Sequence, residues 1–290
     1  MFSNAYEVAS AFTQPLVVGI RFFDGSVEGG LGSFVVLNDE GWIMTAAHNL
    51  SLPFAQEQHA KEIAAFNAEN DRINADASID SGLRNDLLSK LKPNPKWVTN
   101  VTIMFGAGQP KIENYAIFGN HDIAFLQIDR KELSGLTTYP KIKDPADLKF
   151  GMSVCKLGFP FYPINITFDE KKQMFDVPPN LFPIPRFPIE GIYTRNLVTG
   201  HSDGLDIMWM ETSSPGLKGQ SGGPIFDSEG NICAIQSQNV TIPLGFVGEV
   251  EINGSKVHEN QFMNVGIGVH AATITSLLAK SGIKFDLASP

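Results

Sequence analysis

The chain carries only two cysteines, Cys155 and Cys233, in 290 residues. Two cysteines cannot build a disulfide framework, and the low count tilts expectation towards a reducing compartment. Long apolar runs are missing too. No stretch approaches the roughly 18 uninterrupted apolar residues that a membrane span needs, so no membrane partner is expected. Positive charge is scarce: 22 Lys and Arg against 31 Asp and Glu leave a net charge of −9. That balance argues against a nucleic-acid backbone as partner. The amino terminus, MFSNAYEVASAFTQPLVVGIRFF, has no basic region, and its apolar run is broken by Gln14, Pro15 and Arg21. It does not read as a signal peptide, so the expected location is cytoplasmic, or secreted if a leader has been trimmed. The six histidines (His48, His59, His121, His201, His258, His270) are scattered, with no His-Glu-x-x-His pair. No glycine-rich nucleotide loop occurs either. Neither a metal nor a cofactor is expected.

What the sequence does contain is strand-forming pattern. Hydrophobic residues make up 43% and charged residues 18%, an ordinary globular balance. Short β-branched and aromatic runs are separated by Gly, Asn, Asp and Pro, the signature of an all-β chain. Six strands are expected near 17–23, 33–37, 42–46, 98–105, 114–118 and 123–128. Six more are expected near 153–158, 191–198, 207–211, 224–226, 232–238 and 265–269, with 133–147 as connector. The reading is one domain over 1–290, made of two packed six-stranded antiparallel β-barrels, because closure removes unpaired strand edges. The first barrel covers about 15–132, the second about 148–270, and a closing helix 271–282.

Three segments depart from that pattern. Residues 54–92, rich in Ala, Glu, Gln, Asn and Lys, read as a helical insertion in the first barrel, with a break at Ser81-Gly82. It is expected to be a solvated surface excursion, and as a wall or lid it is also where a regulator would dock. Residues 159–188, with FPFYPI and PPNLFPIPRFP, read as an irregular loop packed beside a cleft. Residues 271–280 read as a helix with Gly282 just beyond it.

Three short stretches bear on chemistry: Thr45-Ala46-Ala47-His48 after an apolar strand, His121-Asp122 opening another, and Gly219-Gln220-Ser221-Gly222-Gly223-Pro224. Each alone has an ordinary structural explanation, since Asp before a strand is a turn former and glycine runs make tight turns. His121 itself reads as a strand-edge residue. Together, in the order His, Asp, Ser, they are more specific. A serine hydroxyl needs a base to take its proton, and the base needs an acid on its other ring nitrogen.

The TAAH, DIAFL and GQSGGP stretches resemble the signature motifs of trypsin/chymotrypsin-like serine proteases. GSFVVLNDEGWIMTAAH more closely resembles the bacterial high-temperature-requirement branch, though the PDZ domain usual there is not expected. The resemblance implies a serine endopeptidase acting on protein or peptide substrates, with His48 as general base, Asp122 as orienting acid and Ser221 as nucleophile. It also implies an oxyanion hole made by the N–H groups of Gly219 and Ser221. Two departures matter. Gln220 stands where digestive members carry an Asp that pairs with a freed amino terminus, so that route of activation is not expected. Pro215 stands six residues before the nucleophile, where selection for Lys or Arg requires an acid. The pocket for the residue before the scissile bond is expected to have Pro215 and Gly216 at its base and Ser237, Gln238 and Asn239 on its wall. Asn239 should narrow it, favouring a small or medium apolar side chain.

Two rival readings share these residues. Gly219–Gly223 also fits the G-x-S-x-G elbow of an α/β-hydrolase esterase, with Glu249 or Glu251 as acid and His270 as base. That fold needs a helix directly after the serine, and Gly222-Gly223-Pro224 is a poor helix start. The other rival is a latched or non-catalytic module that binds peptides on a protease fold. Cys155 and Cys233 read as small apolar core residues rather than a redox pair.

Overall fold

The apolar runs between Thr13 and Ile128 build one curled antiparallel sheet in the computed structural model, which describes residues 2–129, 131, 135–252 and 255–288. Its strands are β1 (Thr13–Phe22), β2 (Val27–Val36), β3 (Trp42–Thr45), β4 (Val98–Phe105), β5 (Ile112–Phe118) and β6 (Ile123–Ile128), in the spatial order β4-β1-β2-β3-β6-β5. Its strands pair in antiparallel register, for example Val18 with Gly30 and Met44 with Phe125. Alternation sends Leu16, Val18, Ile20, Phe34, Val36, Ile43 and Leu126 into a core of its own.

A second sheet follows: β7 (Lys141–Ile142), β8 (Ser153–Gly158), then β11 (Phe187–Ser202), β12 (Leu205–Thr212), β13 (Pro224–Phe226), β14 (Ile232–Ile252), β15 (Ser255–His270) and β16 (Asp286–Leu287). Six of these strands close a ring, β13-β8-β11-β12-β15-β14, because β13 pairs with both β8 and β14. The two-residue strands β7 and β16 add in parallel outside the ring, so this sheet has eight strands rather than the six expected. Between β8 and β11, the proline-rich segment is not wholly irregular: β9 (Thr167–Asp169) and β10 (Met174–Asp176) form a hairpin. Phe159, Ile166, Leu181 and Ile184 from this segment pack on Val17 and Met104 of the first sheet. The connector expected at 133–147 begins outside the described residues. So do the side chains of Glu249, Glu251 and His258.

The two sheets meet over a shared apolar cluster. Met44, Phe125, Leu157, Phe226, Ile267 and Leu277 all contribute to it. Helix α1 (Ser3–Phe12), which the sequence pattern does not announce, buries Ala5, Ala9 and Phe12 there. The closing helix α4 (Ala271–Lys280) buries Ile274, Leu277 and Leu278 as expected. The β14–β15 hairpin continues far past the ring, through a register shift between Pro243 and Val247, to Ile252 opposite Ser255, and leaves Val240, Phe246 and Phe262 exposed.

The helical insertion is present as α2 (Ser51–Ala75) and α3 (Ser81–Lys90), and the break between them is capped by Asp80, which accepts from the N–H groups of Gly82 and Leu83. Unlike the ring of the second sheet, the first sheet leaves β4 as an edge. Unpaired edges invite unwanted pairing, and α2 covers this one with side chains. His59 Nδ1 accepts from the Val98 N–H at 3.0 Å, and Gln56 donates to the Thr99 carbonyl at 2.9 Å. Phe66 packs against Phe23 and Trp97, whose indole donates to Glu62. The insertion is therefore polar in composition but tied down along α2, while α3 buries nothing. Phe66→Ala should lower stability by about 1–3 kcal/mol and speed amide exchange at Val98, since it removes the aromatic anchor of an edge cover. Leu83→Ala on α3 should stay within about 0.5 kcal/mol. Chemical denaturation of both variants checks this.

Candidate active site

Strand β3 ends at Thr45, and a short 3-10 turn over Ala47–Leu50 lifts His48 out of the sheet, leaving its side chain half-exposed. A second 3-10 turn, Gly119–His121, precedes Asp122, which adopts left-handed backbone (φ 49°) before β6 begins. Asp is one of the few residues that visits that region at modest cost. The pose brings its carboxylate to His48 twice: Oδ1 accepts from the His48 N–H at 2.9 Å, and Oδ2 meets the ring Nδ1 at 2.8 Å. A third donor reaches it from the other sheet, the Ser237 hydroxyl on β14.

Ser221 lies on a turn that glycines alone permit. Gly219 has φ +101°, and a Cβ there would lie 2.5 Å from the Phe159 carbonyl. Gly222 has φ +85°, and a Cβ would meet the Ser33 carbonyl at 2.2 Å. The Ser221 carbonyl is held by the first sheet, accepting from the Ser33 N–H at 2.8 Å and from Asn49 Nδ2 at 3.0 Å. Asn49 in turn donates to Thr45 Oγ1, which donates to the Ser33 carbonyl. Gln220 closes the turn from beneath: buried, it accepts from the Leu217 N–H at 2.9 Å and donates to the Phe187 carbonyl at 3.1 Å. The N–H groups of Gly219 and Ser221 donate to no acceptor among the described residues.

His48, Ser221, Gly219 and Lys218 line one cleft of about 310 Å³, walled by Leu16 and Val18 of β1 and by Ser51 and Leu52 at the start of α2. The structure thus brings His48 and Ser221 to one space, with Asp122 behind His48. The Ser221 hydroxyl, however, donates to the Ser237 carbonyl at 3.3 Å rather than to His48. Of the expected pocket residues, Gly216 is bridged by Asn239, which accepts from the Gly216 N–H at 2.6 Å and donates to its carbonyl at 2.5 Å. Pro215 is half-buried beside them, and Gln238 is exposed. Ser237, expected only as a wall, is also a partner of Asp122.

Sequence reasoning missed several contributors. Ser33 and Asn49 fix Ser221, and the adjacency of Asn49 to His48 was the available signal. His121 is not a strand-edge residue. It is fully buried, and its Nε2 lies 3.1 Å from the Ser202 carbonyl at the tip of the β11–β12 hairpin, docking the second sheet beside Asp122. His270, the base of the esterase reading, is buried at the start of α4. Its Nδ1 accepts from the Ala272 N–H at 3.1 Å and its Nε2 faces Tyr193. It does not line the cleft with Ser221, and a strand, β13, follows the serine in place of a helix. The esterase reading is withdrawn. Both cysteines are buried, and burial pushes the Cys155 thiol up to about 11 and Cys233 higher still.

Two curled antiparallel sheets meeting at a His, Asp and Ser cleft define a chymotrypsin-like fold. The chain matches the trypsin-like peptidase domain over residues 31–235 and belongs to that family. Among solved structures it is similar to the HtrA-type protease AlgW with tripeptide, at 15% identity and a TM-score of 0.50, covering 98% of this chain and 65% of that one. It is also similar to the Rv3671c protease from M. tuberculosis in its active form, at 14% identity and a TM-score of 0.50, covering 99% and 88%. No curated protein matches it. No helix among the described residues is long and apolar enough to cross a membrane.

Burial lowers the pKa of His270 to about 4. Its folded pKa lies below the unfolded value near 6.5, so the unfolded chain binds the extra proton and stability falls as pH drops from about 6.5 to about 4. The contribution is at most about 3 kcal/mol. His270→Asn, which keeps a capping acceptor, should fold and lose that part of the acid sensitivity. Denaturation midpoints at pH 7 and pH 4.5 check it.

Proposed function

We propose that the chain is a serine endopeptidase that hydrolyses peptide bonds through an acyl-enzyme. The observation that carries the reading is the Asp122 carboxylate bonded to His48 Nδ1, with His48 and Ser221 on one cleft beside two uncommitted N–H groups. In this reading the Ser221 hydroxyl turns from the Ser237 carbonyl towards His48 Nε2. Its proton passes to that nitrogen as Oγ bonds to the scissile carbonyl carbon, and Asp122 steadies the imidazolium. The carbonyl oxygen gains charge as it becomes tetrahedral, and the N–H groups of Gly219 and Ser221 receive it. His48 then gives its proton to the leaving amine, and water repeats the sequence on the acyl-enzyme.

No acid stands at Pro215, so selection for Lys or Arg is not part of the proposal. A second reading, a latched peptide-binding module, draws on the Ser221 bond to Ser237 and the Asn239 bridge to Gly216. Kinetics separates the two. Ser221→Ala should reduce turnover on a cleaved peptide by on the order of 10⁶-fold with unchanged circular dichroism. A parent protein that binds peptides and never cleaves them would favour the latch.

Activity should also need no cut near Val17. The amide of Gln220 satisfies the turn where a carboxylate would need a freed ammonium, and Ala5, Ala9 and Phe12 are core residues rather than a removable segment. Mass spectrometry of active protein should find residues 3–16 intact. Activity confined to chains trimmed there would contradict this.

A further inference from the structure

Strand β8 alternates inward and outward, and Lys156 shares its face with Val154, which packs with Tyr193, Met210, Ile225 and Ala234 inside the ring of the second sheet. A lysine there is unusual: its side chain is fully buried, and no ion pair involves it among the described residues. Desolvation by the surrounding barrel pushes its pKa down to about 7. Its one hydrogen bond is to the Ser214 carbonyl, in the loop that leads to Pro215 and Gly216.

That carbonyl does not need an ammonium. It already accepts from the Gly266 N–H at 2.9 Å and from Thr212 Oγ1 at 3.2 Å. The floor is also shaped around the charge. A Cβ on Gly266 would lie 2.2 Å from Lys156 Nζ, and one on Gly216 would lie 2.2 Å from the Gln236 amide. Gly266 is the register partner of Asn239, so Lys156 Nζ lies directly beneath the strand pair that walls the expected pocket. Two more buried polar atoms close by, Ser214 Oγ and Gln236 Oε1, have no partner among the described residues. A buried ammonium with spare donors and unsatisfied neighbours is costly unless it gives up its proton or an anion meets it.

We propose that Lys156 forms the floor of the pocket for the residue before the scissile bond, and that the peptidase cleaves after Glu or Asp. This rests on the protease reading. The carboxylate would enter between Gly216 and Asn239, displacing the Asn239 bridge, and accept from the lysine donors that the fold leaves unused. A cation in this place also opposes Lys and Arg, and it replaces the small apolar preference expected from Asn239 alone.

The test is kcat/KM for peptides identical except for Glu or Gln, and Asp or Asn, before the cut. The native protein should favour the acid over its amide by about 10- to 100-fold, as expected for a charge-assisted hydrogen bond. In Lys156→Met the ratio should fall to within about threefold. If Lys156→Met lowers cleavage of acid and amide peptides alike, the lysine only anchors Ser214, and the proposal fails. If that variant does not fold, the native ratio still decides: a value near one overturns the acidic pocket while leaving Ser221-dependent cleavage intact. Absence of any Ser221-dependent cleavage overturns the protease reading and this inference with it.

Discussion

The carboxylate of Asp122 joins the two sheets. It takes two hydrogen bonds from His48 of the first sheet and one from Ser237 of the second. The same seam is crossed in reverse, for Ser221 of the second sheet has its carbonyl held by Ser33 and Asn49 of the first. Asp122 and Ser221 are thus each held by groups of the opposite sheet. The apolar cluster shared by both sheets, with α1 and α4 packed into it, is therefore a condition for the site rather than a backdrop to it. His121 and the β11–β12 hairpin tip add a further tie one residue from Asp122.

Neutral groups hold the serine turn. Gln220 ties the turn at Leu217 to the Phe187 carbonyl of β11 with one neutral amide, so no buried charge has to find a partner there. A buried lysine of the second sheet lies elsewhere, at Lys156 beneath the loop that leads to Pro215 and Gly216. The turn around Ser221 is thus neutral, while a lysine amine is buried beneath the adjoining loop. The resting contacts, Ser221 with Ser237 and Asn239 with Gly216, both lie where a substrate would displace them.

The strand pattern and the three short motifs made the fold, His48, Asp122 and Ser221 legible as candidates, because motif order and alternation are local properties of the chain. What was not legible depends on pairing across distance. The polar face of α2 reads as solvated, yet Gln56, His59 and Glu62 face backbone and indole groups at the β4 edge that the helix covers. Helix α1 is too short to stand out from the apolar strand that follows it. The extension of β14 and β15 is set by their register with each other. Lys156 was the visible anomaly, a charge in the apolar run Val154-Cys155-Lys156-Leu157, and strand alternation alone would have placed it indoors. Its bond to the Ser214 carbonyl and its place beside Gly266 needed the closed ring.

The proposed activation of Ser221 by the Asp122–His48 pair can be read without knowing the substrate. The measurement is intact-mass and peptide mapping after exposure of the untrimmed protein to a fluorophosphonate, which bonds to a serine oxygen only when that oxygen is activated. The account expects one adduct per chain, on Ser221, and its loss in His48→Ala. No adduct, or an adduct on another serine, would contradict it.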